Sequence, residues 1–167
     1  SKVNSDYLND QRNTGPKTHG DFNKLVLDFY HIHKFTDKIN FKYYGSLQHA
    51  SKNLDSSEKF SLGGVSGIRA YPSGEASGDE GHKLSFEIQY DLSKPDSDFD
   101  LIGTLFYDYG KIRQYKDSSN ITLTTPNEYS LSGWGVSFDF IANERVKLNL
   151  GWAQAIGDND GQSSSGN

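Results

Sequence analysis

Residues 83–92 read KLSFEIQYDL and alternate apolar with polar side chains without interruption. Successive side chains of a β-strand point to opposite faces of a sheet, so a period of two residues predicts a strand with one apolar face. Five further stretches share this period, and no stretch has a convincing helical one. They are residues 24–33, 38–47, 100–110, 132–141 and 145–155. The sequence therefore predicts an all-β protein of about six strands.

The connections between these stretches come in two sizes. Short segments at 36–38, 93–98 and 142–144 predict hairpins, whereas residues 51–82 and 111–132 predict long loops. Short turns at one rim and long loops at the other are typical of bacterial outer-membrane barrels. A compact soluble sandwich seldom has two structureless connections of about twenty residues or more. The predicted fold is therefore an antiparallel up-and-down meander taken from a transmembrane β-barrel.

The chain has 167 residues, which is enough for one domain. We predict the partial barrel over residues 23–156. Residues 1–22 are polar and are predicted to be a loop or a mobile segment, and residues 157–167 a polar tail or loop. The chain contains no methionine and no recognisable signal peptide, so we interpret it as a piece of a longer protein.

Charge and cysteine content exclude several functional classes. The net charge is −5 and the basic residues are spread among acids, which argues against a general nucleic-acid binder. Without cysteine, disulfides and thiolate sites are excluded. The sequence contains no run of about 20 apolar residues, which is the length that a transmembrane helix needs. Transmembrane strands alternate and leave only a weak hydropathy signal, so composition does not decide between membrane and water.

The alternation leaves open whether the apolar face meets lipid or a protein core. Mid-strand charges on the opposite face suit a polar lumen, and aromatic residues near strand ends suit an interfacial girdle. A soluble sheet with one solvated face would show similar charges and remains an alternative. The charged positions are Asp28, Lys42, Glu87, Asp139 and Lys147, and the aromatic ones are Tyr43, Tyr44, Tyr90, Trp134 and Trp152.

Six strands are too few to close a membrane barrel, for which the smallest have about 8. Open sheet edges are not tolerated in lipid, because their N–H and C=O groups find no partners there. We therefore expect a fragment of a larger barrel, which in isolation could self-associate through its open edges.

Two motifs make the sequence recognisable. Residues 60–81, FSLGGVSGIRAYPSGEASGDEG, surround one arginine with glycine and serine, and residues 106–110 read FYDYG. In this order, with a strand between them, they resemble the haemolysin-activator and filamentous-haemagglutinin transporter family of outer-membrane two-partner secretion proteins. The resemblance covers roughly residues 22–156. The loop motif comprises Gly63, Gly64, Ile68, Arg69, Ala70 and Tyr71 with the acids Glu75 and Asp79, and the strand motif comprises Phe106, Asp108 and Gly110.

The resemblance implies a function and a contact. In that family the arginine-bearing loop folds back into the barrel lumen, where Arg69 is expected to engage Asp108. The family's pores sit in the outer membrane of Gram-negative bacteria and secrete or activate one large exoprotein, such as a haemolysin or adhesin. The implied partners are that exoprotein and the lipid bilayer, and no catalysis is expected. Ala70 replaces a family glycine, which puts the local path of the loop in doubt.

Other chemistry finds little support in the sequence. His31 and His33 share one strand face, as zinc ligands can, but no third ligand has a diagnostic spacing. Glu75, Asp79 and Glu80 could bind calcium, but their spacing is not that of an EF-hand. We expect no cofactor and no metal. The alternative function is a soluble β-barrel or sandwich that binds a ligand with tyrosine-rich loops.

Overall fold

A computed structural model of the chain describes residues 15–95, 97–142 and 146–159. Six long strands form one antiparallel sheet in which each pairs with the next long strand along the chain. They are β1 (Lys24–Lys34), β2 (Ile39–Ala50), β5 (Glu80–Asp91), β6 (Phe99–Arg113), β7 (Glu128–Ala142) and β8 (Val146–Ala155), while β3 (Phe60–Ser61) and β4 (Ser77–Gly78) form a separate pair. The predicted all-β, antiparallel up-and-down meander is confirmed.

The two faces of the six-stranded sheet differ in what covers them. One face, here called the loop face, carries Glu87 and Asp108 and lies under the connection between β2 and β5. The opposite face, here called the apolar face, presents large side chains that stay about half exposed, for example Ile88 at 50%, Leu105 at 49% and Leu150 at 62%. Across the described residues, no helix is long and apolar enough to cross a membrane.

The hydrophobic core lies between the long connection and the loop face. Its buried residues come from both sides: Phe60, Leu62, Ile68 and Ala76 from the connection, and Ile112, Tyr129 and Leu131 from β6 and β7. Gly110 of β6 lets the connection lie close to the sheet, here also called the wall, because a Cβ added at Gly110 would lie 2.6 Å from Cδ2 of Leu62. The connection therefore packs as part of the fold.

The predicted limits of the long loops were too wide. The first connection spans residues 51–79 and the second 114–127, since β5, β6 and β7 extend into the segments predicted as loop. The first is also structured, with the β3–β4 pair and a 3₁₀ turn at Ser56–Glu58. The misassignment has a physical cause. At this end of β7, Tyr129 and Leu131 are buried on the loop face, so the apolar positions change face and the alternation is inverted there.

The short connections lie at the opposite ends of the strands. The first occupies residues 35–38, where the amides of Phe35 and Thr36 donate to the carbonyl of Ile39 and the Thr36 hydroxyl accepts from the Ile39 amide. The second joins Asp91 to Phe99, and most of the hairpin predicted at 142–144 lies outside the described residues. So do residues 1–14 and 160–167, and the predicted domain limits stay predictions.

Candidate functional site

The arginine-bearing loop folds back on itself between β3 and β4. The amide of Leu62 donates to the carbonyl of Ala76, and the amide of Ile68 donates to the carbonyl of Leu62 at 2.7 Å. Gly63 forms a bridge with Ile68, and Gly64 has φ +99°, a conformation that side chains rarely adopt. This tight path turns Arg69, which follows Ile68, toward the six-stranded sheet.

Arg69 meets the carboxylate of Asp108 on β6. Its Nε lies 2.9 Å from Oδ2 and its Nη2 lies 2.7 Å from Oδ1, which is a two-pronged guanidinium–carboxylate pair. The backbone amide of Arg69 adds a third hydrogen bond to Oδ2 at 3.0 Å. Asp108 is fully buried, and every donor to its carboxylate found in the described chain belongs to Arg69. One loop residue thus satisfies this buried charge.

A second carboxylate shares the guanidinium. Nη1 of Arg69 lies 2.8 Å from Oε1 of Glu87 on β5, and Glu87 is only 4% exposed. Glu87 also accepts hydrogen bonds from the Tyr44 hydroxyl and from Nε2 of Gln89, and Nζ of Lys42 lies 3.2 Å from its Oε2. The sequence had indicated Glu87 only as a lumen-facing charge, so its contact with Arg69 was missed.

Phe106 completes the surroundings of the guanidinium. Cζ of Arg69 lies 3.5 Å from the centre of the Phe106 ring, within the range of a cation–π contact. The ring itself rests on Gly135 of β7, where a side chain would collide with it. Burial alone would lower the pKa of Arg69, but the hydrogen bonds and charge of Asp108, with Tyr44 and Glu87 adding to them, raise it above its ordinary value. The guanidinium is therefore held charged, paired and stacked.

This geometry can be set beside known proteins. The family model described as "Haemolysin secretion/activation protein ShlB/FhaC/HecB" matches residues 5–140. The chain belongs to this family. It is 36% identical over 112 residues to the heme/hemopexin transporter protein HuxB of Haemophilus influenzae strain 86-028NP, and 35% identical to HuxB of a second strain. Each match covers 67% of this chain and 20% of the relative, so the chain spans about a fifth of their length.

The fold also resembles a solved structure. CdiB from Escherichia coli superposes with a TM-score of 0.72 over 89% of this chain and 26% of its own, at 18% sequence identity. That likeness supports the barrel-derived fold.

In this member of the ShlB/FhaC/HecB family, the methyl group of Ala70 is accommodated by a glycine on the wall. Among the described residues, Lys17 is the one non-glycine with positive φ, so Ala70 keeps an ordinary backbone conformation. A Cβ added at Gly133 of β7 would lie 2.5 Å from the Cβ of Ala70. The methyl group of Ala70 therefore packs directly against the backbone of β7. The neighbouring Tyr71 packs against the core, and burial together with the nearby Glu75 raises the pKa of its hydroxyl.

The two loop acids lie apart from Arg69. Asp79 is fully buried between β4 and β5, accepts hydrogen bonds from the amides of Leu54 and Lys116, and lies 3.0 Å from Nζ of Lys59. Glu75 instead accepts a hydrogen bond from the Asn159 side chain. No group of three or more potential metal ligands occurs within the described ranges. Asp79 therefore joins loop segments and is already surrounded by donors.

Proposed function

We propose that the chain forms part of the barrel wall of an outer-membrane two-partner secretion transporter, which exports one large exoprotein through its lumen. The observation that carries this proposal is the pairing of the two faces: a polar face holding a buried arginine loop, and an opposite face of exposed apolar side chains. Membership of the ShlB/FhaC/HecB family supports the same assignment.

The apolar face fits a lipid bilayer. Its exposed side chains repeat on every long strand from β1 to β8, among them Leu27, Phe86, Tyr107, Phe138 and Leu148. In lipid these side chains are favourably placed, and the hydrogen bonds of the sheet satisfy the backbone. In water the same area would be a large exposed apolar patch, so the soluble binding module is not favoured.

The edges of the sheet imply further strands. Within residues 15–95, 97–142 and 146–159, β1 and β8 each have a neighbouring strand on one side only. Open edges would leave unpaired backbone groups in lipid, so in the longer protein we expect them to pair with other strands. An isolated fragment would instead offer these edges for self-association.

The role we propose for Arg69 is to hold the long loop against the inner wall. Within a barrel the loop face becomes the lumen, and the loop between β2 and β5 occupies it. Arg69 is the one partner of Asp108 among the described residues, and its loss would cost about 3–5 kcal/mol if the site stayed buried. The contact therefore keeps the loop inward and supports the wall during translocation, with no bond-making step and no cofactor.

The test uses the full-length transporter, and the exoprotein is identified by comparing culture media with and without it. We expect Arg69→Ala and Asp108→Asn to reduce secretion severely while the barrel still inserts in the outer membrane. Lys147→Gln is the matched control, since Lys147 of β8 is an exposed lysine that lies on the loop face, as Asp108 does. If Arg69→Ala and Asp108→Asn both secrete at the level of the control and are equally stable, the proposed role is wrong.

A further inference from the structure

Lys42 is a second cation next to the Arg69 site, and it belongs to the wall. It lies directly opposite Glu87 in the pairing of β2 with β5, and its Nζ is 3.2 Å from Oε2 of Glu87. The ammonium group also lies over two aromatic rings of the same face, 5.0 Å from the centre of Tyr44 and 5.6 Å from that of Tyr30. These contacts of Lys42 are with residues of the strands β1, β2 and β5 and do not involve the loop.

The four charges form a balanced set with unequal attachments. Arg69 and Lys42 supply two positive charges, and Asp108 and Glu87 supply two negative ones. Asp108 receives its donors from Arg69, whereas Glu87 has Tyr44, Gln89 and Lys42 as well, counting the described part of the chain. Withdrawal of the loop would therefore leave Glu87 compensated by the wall and Asp108 without a cation.

We propose that Lys42 is a resident counter-cation that shares Glu87 with Arg69, and thereby weakens the hold on the loop and keeps Glu87 paired when the loop withdraws. The inference rests on the proposed anchoring role of Arg69 and adds a positioning residue to it. Without Lys42, Arg69 would be the one cation of this set that faces both carboxylates, and the repulsion between the two cations would vanish. Both changes favour the docked loop, so removing a lysine is expected to tighten the contact.

Loop withdrawal can be followed with a single thiol. The chain has no cysteine, and Ala76 is 1% exposed within the core between the loop and the wall. In the full-length transporter, with Ala76→Cys as the only cysteine, the labelling rate by a neutral maleimide reports how often the loop opens. Arg69→Ala calibrates the assay and should speed labelling.

The decisive variants change charge at position 42. Lys42→Gln should slow labelling by at least about threefold, the size expected for one unit charge at an effective dielectric constant of about 20 after partial screening. Lys42→Met, which keeps a long stem against the tyrosines, should do the same, and Lys42→Arg should restore the parent rate. Glu87→Gln should speed labelling, and adding Lys42→Gln to it should slow it again. Lys147→Gln is the control and should change nothing.

The outcomes separate the two proposals. If Arg69→Ala speeds labelling but Lys42→Gln and Lys42→Met leave it unchanged or speed it, the inference about Lys42 is wrong and the anchoring role stands. If Arg69→Ala has no effect on labelling, the anchoring role fails and the role of Lys42 falls with it. A purely structural role for Lys42 predicts faster labelling in both neutral variants, the opposite of the expected change.

Discussion

Asp79 and Asp108 are both fully buried aspartates that hold the connection between β2 and β5, Asp79 as the last residue of that connection and Asp108 from β6, but they hold it in different ways. The donors to Asp79 come from two connections: Leu54 and Lys59 lie between β2 and β3, and Lys116 lies between β6 and β7. The donors to Asp108 all come from Arg69, as far as the described residues extend.

The difference separates a permanent junction from a releasable one. Moving the Asp79 junction would require two backbone amides and a lysine from distant segments to leave together. Moving the Asp108 contact requires the withdrawal of a single side chain and its amide. A loop that must stay attached at its base yet move at its tip needs both kinds of contact, which suits the place in the lumen of a secretion pore that we propose for this loop.

The largest effect on stability is expected at the base of the loop. Asp79→Asn removes the charge facing Lys59 and turns an acceptor into a donor beside two amide donors, so we expect a loss of about 3–5 kcal/mol of unfolding free energy. Thermal or denaturant unfolding of the full-length barrel in detergent measures it. Asp37→Asn is the control, because Asp37 is fully exposed and solvent screens its pair with Lys34, so we expect no measurable loss. Equal losses in the two variants would contradict the role of Asp79 in holding the base of the loop.

The next largest effect is expected at Asp108. Asp108→Asn leaves Arg69 with Glu87 and with water that can enter once the loop moves, so we expect a smaller loss of about 2–3 kcal/mol, within the range for truncated charged hydrogen bonds. Proteolysis of the folded transporter should then cut the loop near Val65, which is 90% exposed, sooner than in the parent. If Asp108→Asn destabilised the barrel as much as Asp79→Asn without faster loop cleavage, the distinction between the two contacts would be lost.

The sequence predicted the features that depend on neighbouring residues or on a known motif, and it missed those that depend on strand register or on burial under the loop. The strands followed from alternation, and the motif resemblance led to Arg69 and Asp108. The ends of β6 and β7 were missed because burial under the loop inverts the alternation at Ile112 and Tyr129. Glu87 was missed because its role depends on the register of β5 and β6, which places Ser85 opposite Asp108 and so brings Glu87 to the same patch. The hairpin predicted at 93–98 would not have given that register, because it places residue 92 opposite residue 99, whereas the amide of Leu92 donates to the carbonyl of Leu101.

A smaller effect is expected where the loop meets Gly133. Gly133→Ala should cost about 1–3 kcal/mol, because the new methyl group would collide with that of Ala70. Ala70→Gly should relieve most of that loss in the double variant, whereas Gly151→Ala should cost less, because the nearest atoms to an added Cβ there are 3.5 Å away or more. Unfolding measurements on the three variants and the double variant test this. Additive losses in the double variant would mean that the two positions are not in contact.

The smallest effect is expected at Tyr44, whose hydroxyl lies 3.1 Å from Oε1 of Glu87. Tyr44→Phe removes one donor from a carboxylate that keeps Arg69, Lys42 and Gln89, so we expect a loss of only about 0.5–1.5 kcal/mol and unchanged cleavage of the loop. Asp108 has no donor other than Arg69 in the part of the chain that the structure describes, so it loses all of them when Arg69 leaves. A loss at Tyr44 as large as that of Asp108→Asn would show that Glu87 depends on one donor after all. The wall would then contain two irreplaceable contacts, and the loop could not be released by breaking a single one.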